Sequence, residues 1–278
     1  CTDTFTSVVS TNTSGWWGGF GSTTFYNTNS LGECTKKLMY DSWYTNPSLD
    51  MNTAGYSSWA TTSTCCIMTR SELKVHVDQW IVNSTNHPCG EVIGDWDVSR
   101  VTDMSYLFCG APDSGCDPAV AAGRQRFNGD ISRWDTSKVT SLYYTFYIGW
   151  DFNGNLSGWD TSRVTNMGGT FRHAHNFNGD LSGWNTASVT TLQSIFHDAQ
   201  AYNADISNWN TASVTTLAYT FYGASGFNED LSGWDTSSVT SLSNTFNRAA
   251  SFNGNLSDWD TSSVINMGAT FFITHSFN

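Results

Sequence analysis

The amino-acid sequence predicts an α/β repeat solenoid, with a short parallel strand and a short helix in each 25-residue coil. Two observations predict this fold class. A Trp-Asp or Trp-Asn pair recurs every 25 residues, and several apolar columns keep the same spacing. A constant period with apolar columns indicates that each coil stacks its side chains on the equivalent side chains of its neighbours.

The repeat occupies residues 91–278, with an insertion at residues 109–125. Its consensus is roughly F-N-G-D-[LI]-S-x-W-D-T-S-x-V-T-x-[LM]-x-x-T-F. The stretch Ser-x-Val-Thr-x-Leu alternates in polarity and favours a short parallel strand. The spacing of four and then three residues from Leu242 through Phe246 to Ala249 favours one or two helical turns.

The repeats carry a family resemblance. The runs FNGDISRWDTSKVTSL and FNEDLSGWDTSSVTSL resemble the 25-residue repeats of BspA-like leucine-rich-repeat surface proteins. The resemblance covers residues 91–278 and implies a leucine-rich-repeat-like fold, export or surface attachment, and a role in adhesion without common catalytic residues. The chain departs from the family pattern where threonine replaces the usual methionine, at Thr145, Thr170, Thr220, Thr245 and Thr270.

The two ends of the repeat array differ. Residues 67–90 predict a cap helix, because Thr69 and Glu72 form a capping-box pattern. The apolar face of this helix contains Leu73, Val77, Trp80 and Ile81. The sequence ends two residues into an eighth copy, so we expect either a truncated chain or a second subunit that covers the end and gives head-to-tail assembly. The chain also begins without a methionine or a hydrophobic leader, as a processed chain or a fragment does.

Residues 1–66 form a separate aromatic and cysteine-rich module in this interpretation, small, β-rich and stapled by disulfides. It would cap its own solenoid or dock on the open end of a neighbour. All seven cysteines precede residue 117, which indicates disulfides and an oxidising, exported environment. Cys109 and Cys116 are the favoured pair, and one thiol of the odd number is free, pairs between chains or lacks its partner segment. The other disulfide candidates are Cys1, Cys34, Cys65, Cys66 and Cys89.

Composition excludes several classes of function. Only 13% of the residues are charged, and 24 acidic against 12 basic residues give a net charge of −12. This balance argues against a nucleic-acid partner and an anionic-membrane partner. The sequence contains no run of about 20 apolar residues, so we expect no membrane insertion.

One asparagine column is expected to form a structural ladder, because an amide both donates and accepts hydrogen bonds. Its members are Asn128, Asn153, Asn178, Asn203, Asn228 and Asn253. Two further columns mix aspartate and asparagine. This interchange favours Asx turns over calcium sites, and we expect no cofactor, with Ca²⁺ as the alternative.

Four N-glycosylation sequons begin at Asn12, Asn83, Asn155 and Asn255. The last two occupy the same position four repeats apart, which indicates a solvent-facing column. The alternative is that sequons arise by chance in a chain so rich in asparagine and serine.

No catalytic pattern interrupts the repeat, and we expect neither a catalytic nor a metal site. His173 and His175 lie one repeat before His197, but no acidic partner is clearly in register, so we favour exposed helix or loop histidines. Two threonine columns, one from Thr136 and one from Thr140, would form a flat hydroxyl array for ice or a glycan surface if both faced outward.

The sequence therefore predicts a non-enzymatic structural or adhesive protein, extracellular or on the cell surface. We expect it to be a subunit of a glycosylated extracellular filament that assembles head to tail. The alternative is a monomeric adhesion, glycan-binding or ice-binding module of a longer surface protein, with a glycan or surface protein as its ligand.

Overall fold

The computed structural model describes residues 68–85, 87–111, 116 and 118–278. These residues contain helix α1 (Arg70–Val82), a 3-10 helix (Ile93–Asp95) and helix α2 (Ala121–Gln125), and none of these helices recurs in the later 25-residue repeats. The same described residues contain no strand, since their pairing consists of isolated bridges. The predicted α/β solenoid, with a strand and a helix in every coil, is therefore wrong. The module expected at residues 1–66 lies outside the described residues.

Single parallel bridges join successive repeats in place of a sheet. Ser141 pairs with Asn166, and equivalent pairs follow every 25 residues up to Asn266. After each bridge, some backbone N–H groups donate to the next repeat and others donate within their own repeat. Leu142 and Tyr144 donate to carbonyls of the next repeat, whereas Thr145 donates within its own repeat to Leu142. The repeats are thus hydrogen-bonded in register, although no bridge extends into a strand.

Left-handed residues explain why the predicted helical turns do not form. Tyr144 and Ile148 have φ values of 53° and 56°, and equivalent positions in later repeats also have positive φ. A residue in the left-handed conformation interrupts a right-handed helix. For a residue with a β-carbon, this conformation costs roughly 1–2 kcal/mol. The segment therefore forms successive turns, with bonds such as Tyr147 N–H to Tyr144 O, in place of a helix.

Aromatic columns fill the core of the stack. The ring of Phe146 stacks on two residues of the next repeat, Phe152 at 4.0 Å between centroids and Phe171 at 5.6 Å. Each tryptophan of the repeat column from Trp134 to Trp259 also donates a hydrogen bond to a backbone carbonyl. Trp159 donates through Nε1 to Ile131 O at 3.1 Å, and Trp184 donates to Leu156 O at 3.0 Å. These bonds satisfy the one polar atom of each buried indole.

Helix α1 covers the first repeat. The capping box is present, because Thr69 N–H donates to Glu72 Oε2 at 2.8 Å and Glu72 N–H donates to Thr69 Oγ1 at 3.5 Å. Leu73 and Val77 are buried, and the other two apolar residues of the predicted face, Trp80 and Ile81, are half-buried.

Arginine side chains donate hydrogen bonds to backbone carbonyls of the first repeat, on the side that α1 covers. Arg70 donates to Ser105 O at 2.8 Å, and the fully buried Arg124 of α2 donates to Cys109 O at 3.2 Å. Arg124 also forms an ion pair with Asp78 of α1. These contacts close the N-terminal end of the described stack.

Candidate functional site

Two histidines and one aspartate meet where two consecutive repeats stack. Asp198 occupies the position equivalent to His173 one repeat later, and His197 precedes it. Asp198 Oδ2 lies 3.3 Å from His173 Nδ1 and 3.4 Å from His197 Nε2. The three atoms all lie within 4.8 Å of one another. We call these residues the His-Asp cluster.

The repeat backbone positions the His-Asp cluster. His173 and Asp198 are left-handed, with φ values of 57° and 53°, and the N–H of His173 donates to His197 O at 2.7 Å. The next equivalent position is Gly223, where an added β-carbon would overlap the Asp198 carboxylate. Glycine at 223 therefore leaves the space that the carboxylate occupies.

Burial sets the charge state of His173. Its desolvation lowers the pKa to about 4, and the opposing attraction of Asp198 does not compensate for this effect. The nearby His197, Arg172 and His175 lower the pKa further. His173 is therefore neutral at pH 7, and its contact with Asp198 is not an ion pair.

Asp198 remains ionised in the same cluster. Burial raises its pKa, but the hydrogen bond from His197 and the charges of the neighbouring histidines outweigh burial and lower it. The Nδ1 atom of His197 is buried and has no hydrogen-bond partner among the described residues.

The three histidines are evident from the sequence, whereas Asp198 was not expected as their acidic partner. The expectation of exposed histidines is wrong for His197, which is only 9% exposed. His175 lies to one side, with its ring stacked on Trp150 at 6.2 Å between centroids. The signal for Asp198 was the period itself, because Asp198 follows His173 by 25 residues.

A second group of potential ligands surrounds α1. Atoms of His76, His87 and Cys89 lie within 4.8 Å of one another. Cys89, however, is disulfide-bonded and has no thiolate to offer. The ring of His87 stacks on Trp96 at 4.9 Å, and burial lowers the pKa of His87. This group is part of the packing beneath the cap.

The asparagine column forms a chain of hydrogen bonds from repeat to repeat. Each side-chain Oδ1 accepts from the backbone N–H of the asparagine 25 residues later, at 2.6–3.0 Å. The bonds begin at Asn128 and pass through Asn153, Asn178, Asn203, Asn228 and Asn253 to Asn278.

The two mixed acidic columns make Asx turns. In each member, Oδ1 accepts from the backbone N–H two residues later; the bonds from Ser132 to Asp130 and from Ala187 to Asn185 are examples at 3.0 and 3.1 Å. Hydrogen bonds from the side chain and backbone of Ser132 lower the pKa of Asp130. Aspartate and asparagine interchange here because the turn requires only the acceptor oxygen.

The two threonine columns face different environments. Thr136 is buried and donates to Asp160 O of the next repeat at 3.1 Å, and its equivalents as far as Thr236 do the same. Thr140 and its equivalents are exposed. The premise that both columns face outward is therefore wrong, and no flat array of two threonine columns forms.

Cys109 and Cys116 form a disulfide, with 5.9 Å between their α-carbons. Cys89 is disulfide-bonded as well, whereas Cys1, Cys34, Cys65 and Cys66 lie outside the described residues. Among the sequons, Asn83, Asn155 and Asn255 are exposed, and Asn12 lies outside the described residues.

The last repeat exposes large apolar side chains, and the equivalents of two of them, Met267 and Phe277, are buried in the repeats before it. Ile265 is 88% exposed and Phe272 is 59% exposed, and Met267, Ile273 and Phe277 also face solvent. The backbone N–H groups that pair with a following repeat elsewhere have no acceptor here among the described residues; they belong to Met267, Ala269, Phe271 and Ile273. We call this surface the open face.

None of the helices among the described residues is long and apolar enough to cross a membrane. A family described as "Mycoplasma protein of unknown function, DUF285" matches the chain at residues 78–200, 114–228 and 170–278. No curated protein and no solved structure shows significant similarity to the chain. The three family matches overlap and together span residues 78–278, well over half of the sequence, so the chain belongs to the DUF285 family.

Proposed function

We propose that this chain is a non-enzymatic structural and adhesive protein of the extracellular space or cell surface, and that it assembles head to tail into a glycosylated filament. The open face carries this proposal. It combines exposed apolar side chains, such as Ile265 and Phe272, with a row of N–H groups that lack an acceptor among the described residues. Such a surface favours burial against another polypeptide.

A second copy of the chain is the proposed occupant of the open face. The opposite end of the described stack is already covered by α1, so two described ends do not fit together directly. We propose that residues 1–66 of the next subunit bind the open face, since this segment is rich in aromatic residues and has only six charged residues among 66. Its backbone carbonyls would accept from the N–H groups of the open face.

The exported location is supported by cysteine chemistry and by accessible sequons. The disulfide between Cys109 and Cys116 is typical of an oxidising compartment. Asn155 and Asn255 are exposed and share one column, so glycans there would lie on the same side of the stack. The resemblance of the repeats to those of BspA-like surface proteins supports a surface role.

Electron microscopy and light scattering of the purified, oxidised full chain test assembly. We expect filaments that lengthen with protein concentration. Ile265→Glu and Phe272→Glu place charge on the open face and should give single subunits. Both residues are already exposed in the subunit, so folding should be retained.

Trp150→Glu is the matched control, because Trp150 is a large apolar residue, 42% exposed, away from the open face. Filaments should persist in this variant. Wild-type protein that stays monomeric at high concentration would contradict the proposal, and so would loss of filaments in the control alone. Mass measurement before and after glycosidase treatment tests glycosylation separately.

A surface of tyrosines favours a second candidate, a monomeric glycan-binding module. Tyr106 stacks on Tyr144 at 5.4 Å between centroids, and Tyr143 and Tyr147 pack edge-on against Tyr144. Arg172 donates to the Tyr144 hydroxyl at 3.0 Å. Half-buried aromatic rings with hydroxyl groups are typical of recognition surfaces. Binding to a glycan array that Tyr144→Ala abolishes, with only monomers in solution, would favour this candidate.

A further inference from the structure

We propose that the His-Asp cluster is a tetrahedral transition-metal site, with His173 Nδ1, His197 Nε2 and one carboxylate oxygen of Asp198 as its protein ligands and Zn²⁺ as its ion. The cluster lies in the middle of the repeats, and the proposed assembly neither requires it nor uses it. It therefore represents a binding function separate from the filament.

Two of the three separations between the ligand atoms fit this geometry, and the third, between the two imidazole nitrogens, is below 4.8 Å. Two ligands on one tetrahedral zinc ion, each bound at about 2.0–2.1 Å, lie about 3.3 Å apart. The observed separations from Asp198 Oδ2 are 3.3 Å to His173 and 3.4 Å to His197. Charge-assisted hydrogen bonds between such groups are shorter, about 2.7–2.9 Å. The carboxylate oxygen therefore lies farther from the two ring nitrogens than it would in hydrogen bonds to two imidazolium groups.

The donor set selects the class of ion. Imidazole nitrogen suits zinc, copper, nickel and iron, whereas calcium and magnesium prefer oxygen ligands throughout. Two nitrogens and one carboxylate oxygen thus favour a transition metal over calcium at this position. Three protein ligands leave a fourth tetrahedral position for water.

The cluster is accessible yet held in place. The side chains of His173 and Asp198 are 26% and 28% exposed, which leaves a path for the ion from solvent. His173 and Asp198 belong to a column of left-handed residues that recurs every 25 residues from Ile148 to Ile273, and this column fixes the ligand-bearing backbone. The repeat consensus does not account for these residues, because the equivalent positions in other repeats include Ile148, Gly223 and Ile273.

The affinity should be moderate. A histidine that binds a metal normally donates its second ring N–H to an acceptor, and loss of that acceptor reduces metal affinity about 10–100-fold. His197 Nδ1 has no such acceptor among the described residues. We therefore expect the site to bind zinc more weakly than a structural zinc site does.

Equilibrium dialysis against ZnCl₂, with metal content measured by mass spectrometry, tests the site on the untagged, oxidised full chain. Free thiols are alkylated beforehand, and the buffer contains excess Ca²⁺ and Mg²⁺. We expect about one zinc ion per chain. Asp198→Asn and His173→Ala should each lower the affinity by about tenfold or more.

Gly223→Ala retains all three ligands but places a methyl group where the Asp198 carboxylate lies, so it should also weaken binding. His275→Ala and His76→Ala are the matched controls and should leave binding unchanged. Circular dichroism and the unfolding midpoint verify that each variant is folded.

Cobalt binding to the wild-type chain gives a readout that needs no variant. Co²⁺ in a tetrahedral site produces intense visible absorption, and Zn²⁺ should displace it. The proposal is overturned if the wild-type chain binds no zinc, if cobalt gives only the weak spectrum of an octahedral ion, or if folded Asp198→Asn binds zinc as tightly as wild type. It is also overturned if either control variant abolishes binding.

Discussion

The backbone N–H of Asn178 donates a hydrogen bond of 2.9 Å to Oδ1 of Asn153, the equivalent residue one repeat earlier. The same contact recurs at every asparagine of the column from Asn128 onward. A side chain thus connects consecutive repeats where their backbones do not bond directly, and it fixes their register. This relationship gives the first of four predictions.

Asn153→Ala removes one acceptor of the ladder and leaves Asn178 N–H without its partner. Both residues are exposed, so water replaces the bond in part, and the free energy of unfolding should fall by about 0.5–1.5 kcal/mol. Urea denaturation measures this change. Asn153→Asp retains an acceptor oxygen and should cost less; equal losses in the two variants would show that the hydrogen bond is not the cause.

Thr170→Val tests why threonine replaces methionine in the repeat. The buried Thr170 hydroxyl lies 3.0 Å from Leu142 O and 2.8 Å from Met167 O, so it links two repeats inside the core. Valine keeps the shape and removes the donor, which should lower the free energy of unfolding by about 1–3 kcal/mol. Thr165→Val removes an exposed hydroxyl that donates to Thr140 O. A loss as large in this control as in Thr170→Val would contradict the role of the buried hydroxyl.

Acid should destabilise the protein through its Asx turns. Hydrogen bonds from the side chain and backbone of Ser182 lower the pKa of Asp180 below its ordinary value of 3.8, and Asp205 and Asp230 behave alike. A lowered pKa in the folded state means that the stabilisation is fully present above pH 3.8 and is lost as the pH falls through the folded pKa.

Thermal unfolding measured from pH 6 down to about pH 2 tests this expectation. The melting temperature should decrease most steeply below the ordinary aspartate pKa. Asp180→Asn keeps the acceptor, as the natural Asn155 does in the same column, and should reduce the pH dependence. A melting temperature that rises on acidification would have the wrong sign for this mechanism.

Removal of the disulfide between Cys109 and Cys116 should destabilise the fold. The bond closes a loop with a sequence separation of seven residues, for which the loss of chain entropy predicts about 2–3 kcal/mol. The double variant Cys109→Ser and Cys116→Ser removes this bond without a reductant, so the disulfide bond of Cys89 is retained. Its urea midpoint should be lower than that of wild type. An unchanged midpoint would show that the surrounding packing alone holds this loop.

The sequence by itself determined the period, the columns and the cap. Side chains that recur every 25 residues must meet their equivalents when the repeats stack, so the phenylalanine, tryptophan and asparagine columns could be identified without coordinates. The capping box of Thr69 and Glu72 could also be predicted from the sequence, because its hydrogen bonds are local.

Only the tertiary structure decided the conformation within each repeat. Polarity alternation and helical spacing predicted a strand and a helix, but Tyr144 and Ile148 adopt left-handed conformations that bulky residues seldom adopt. Glycine or asparagine occupies the equivalent positions in some repeats, at Gly169, Gly223 and Asn244, but other residue types occupy them elsewhere. Hydrogen bonds to the next repeat stabilise these residues, and such contacts are invisible to local propensity.

The His-Asp cluster was hidden for a related reason. The period places His173 and Asp198 at equivalent positions, but only the stacked backbone brings the side chain of the preceding His197 to the same carboxylate oxygen. Glycine at 223 then provides the space for that carboxylate. Stacking thus converts residues that are 24 and 25 positions apart into neighbours, and the direction of each side chain depends on backbone angles that the sequence pattern does not encode.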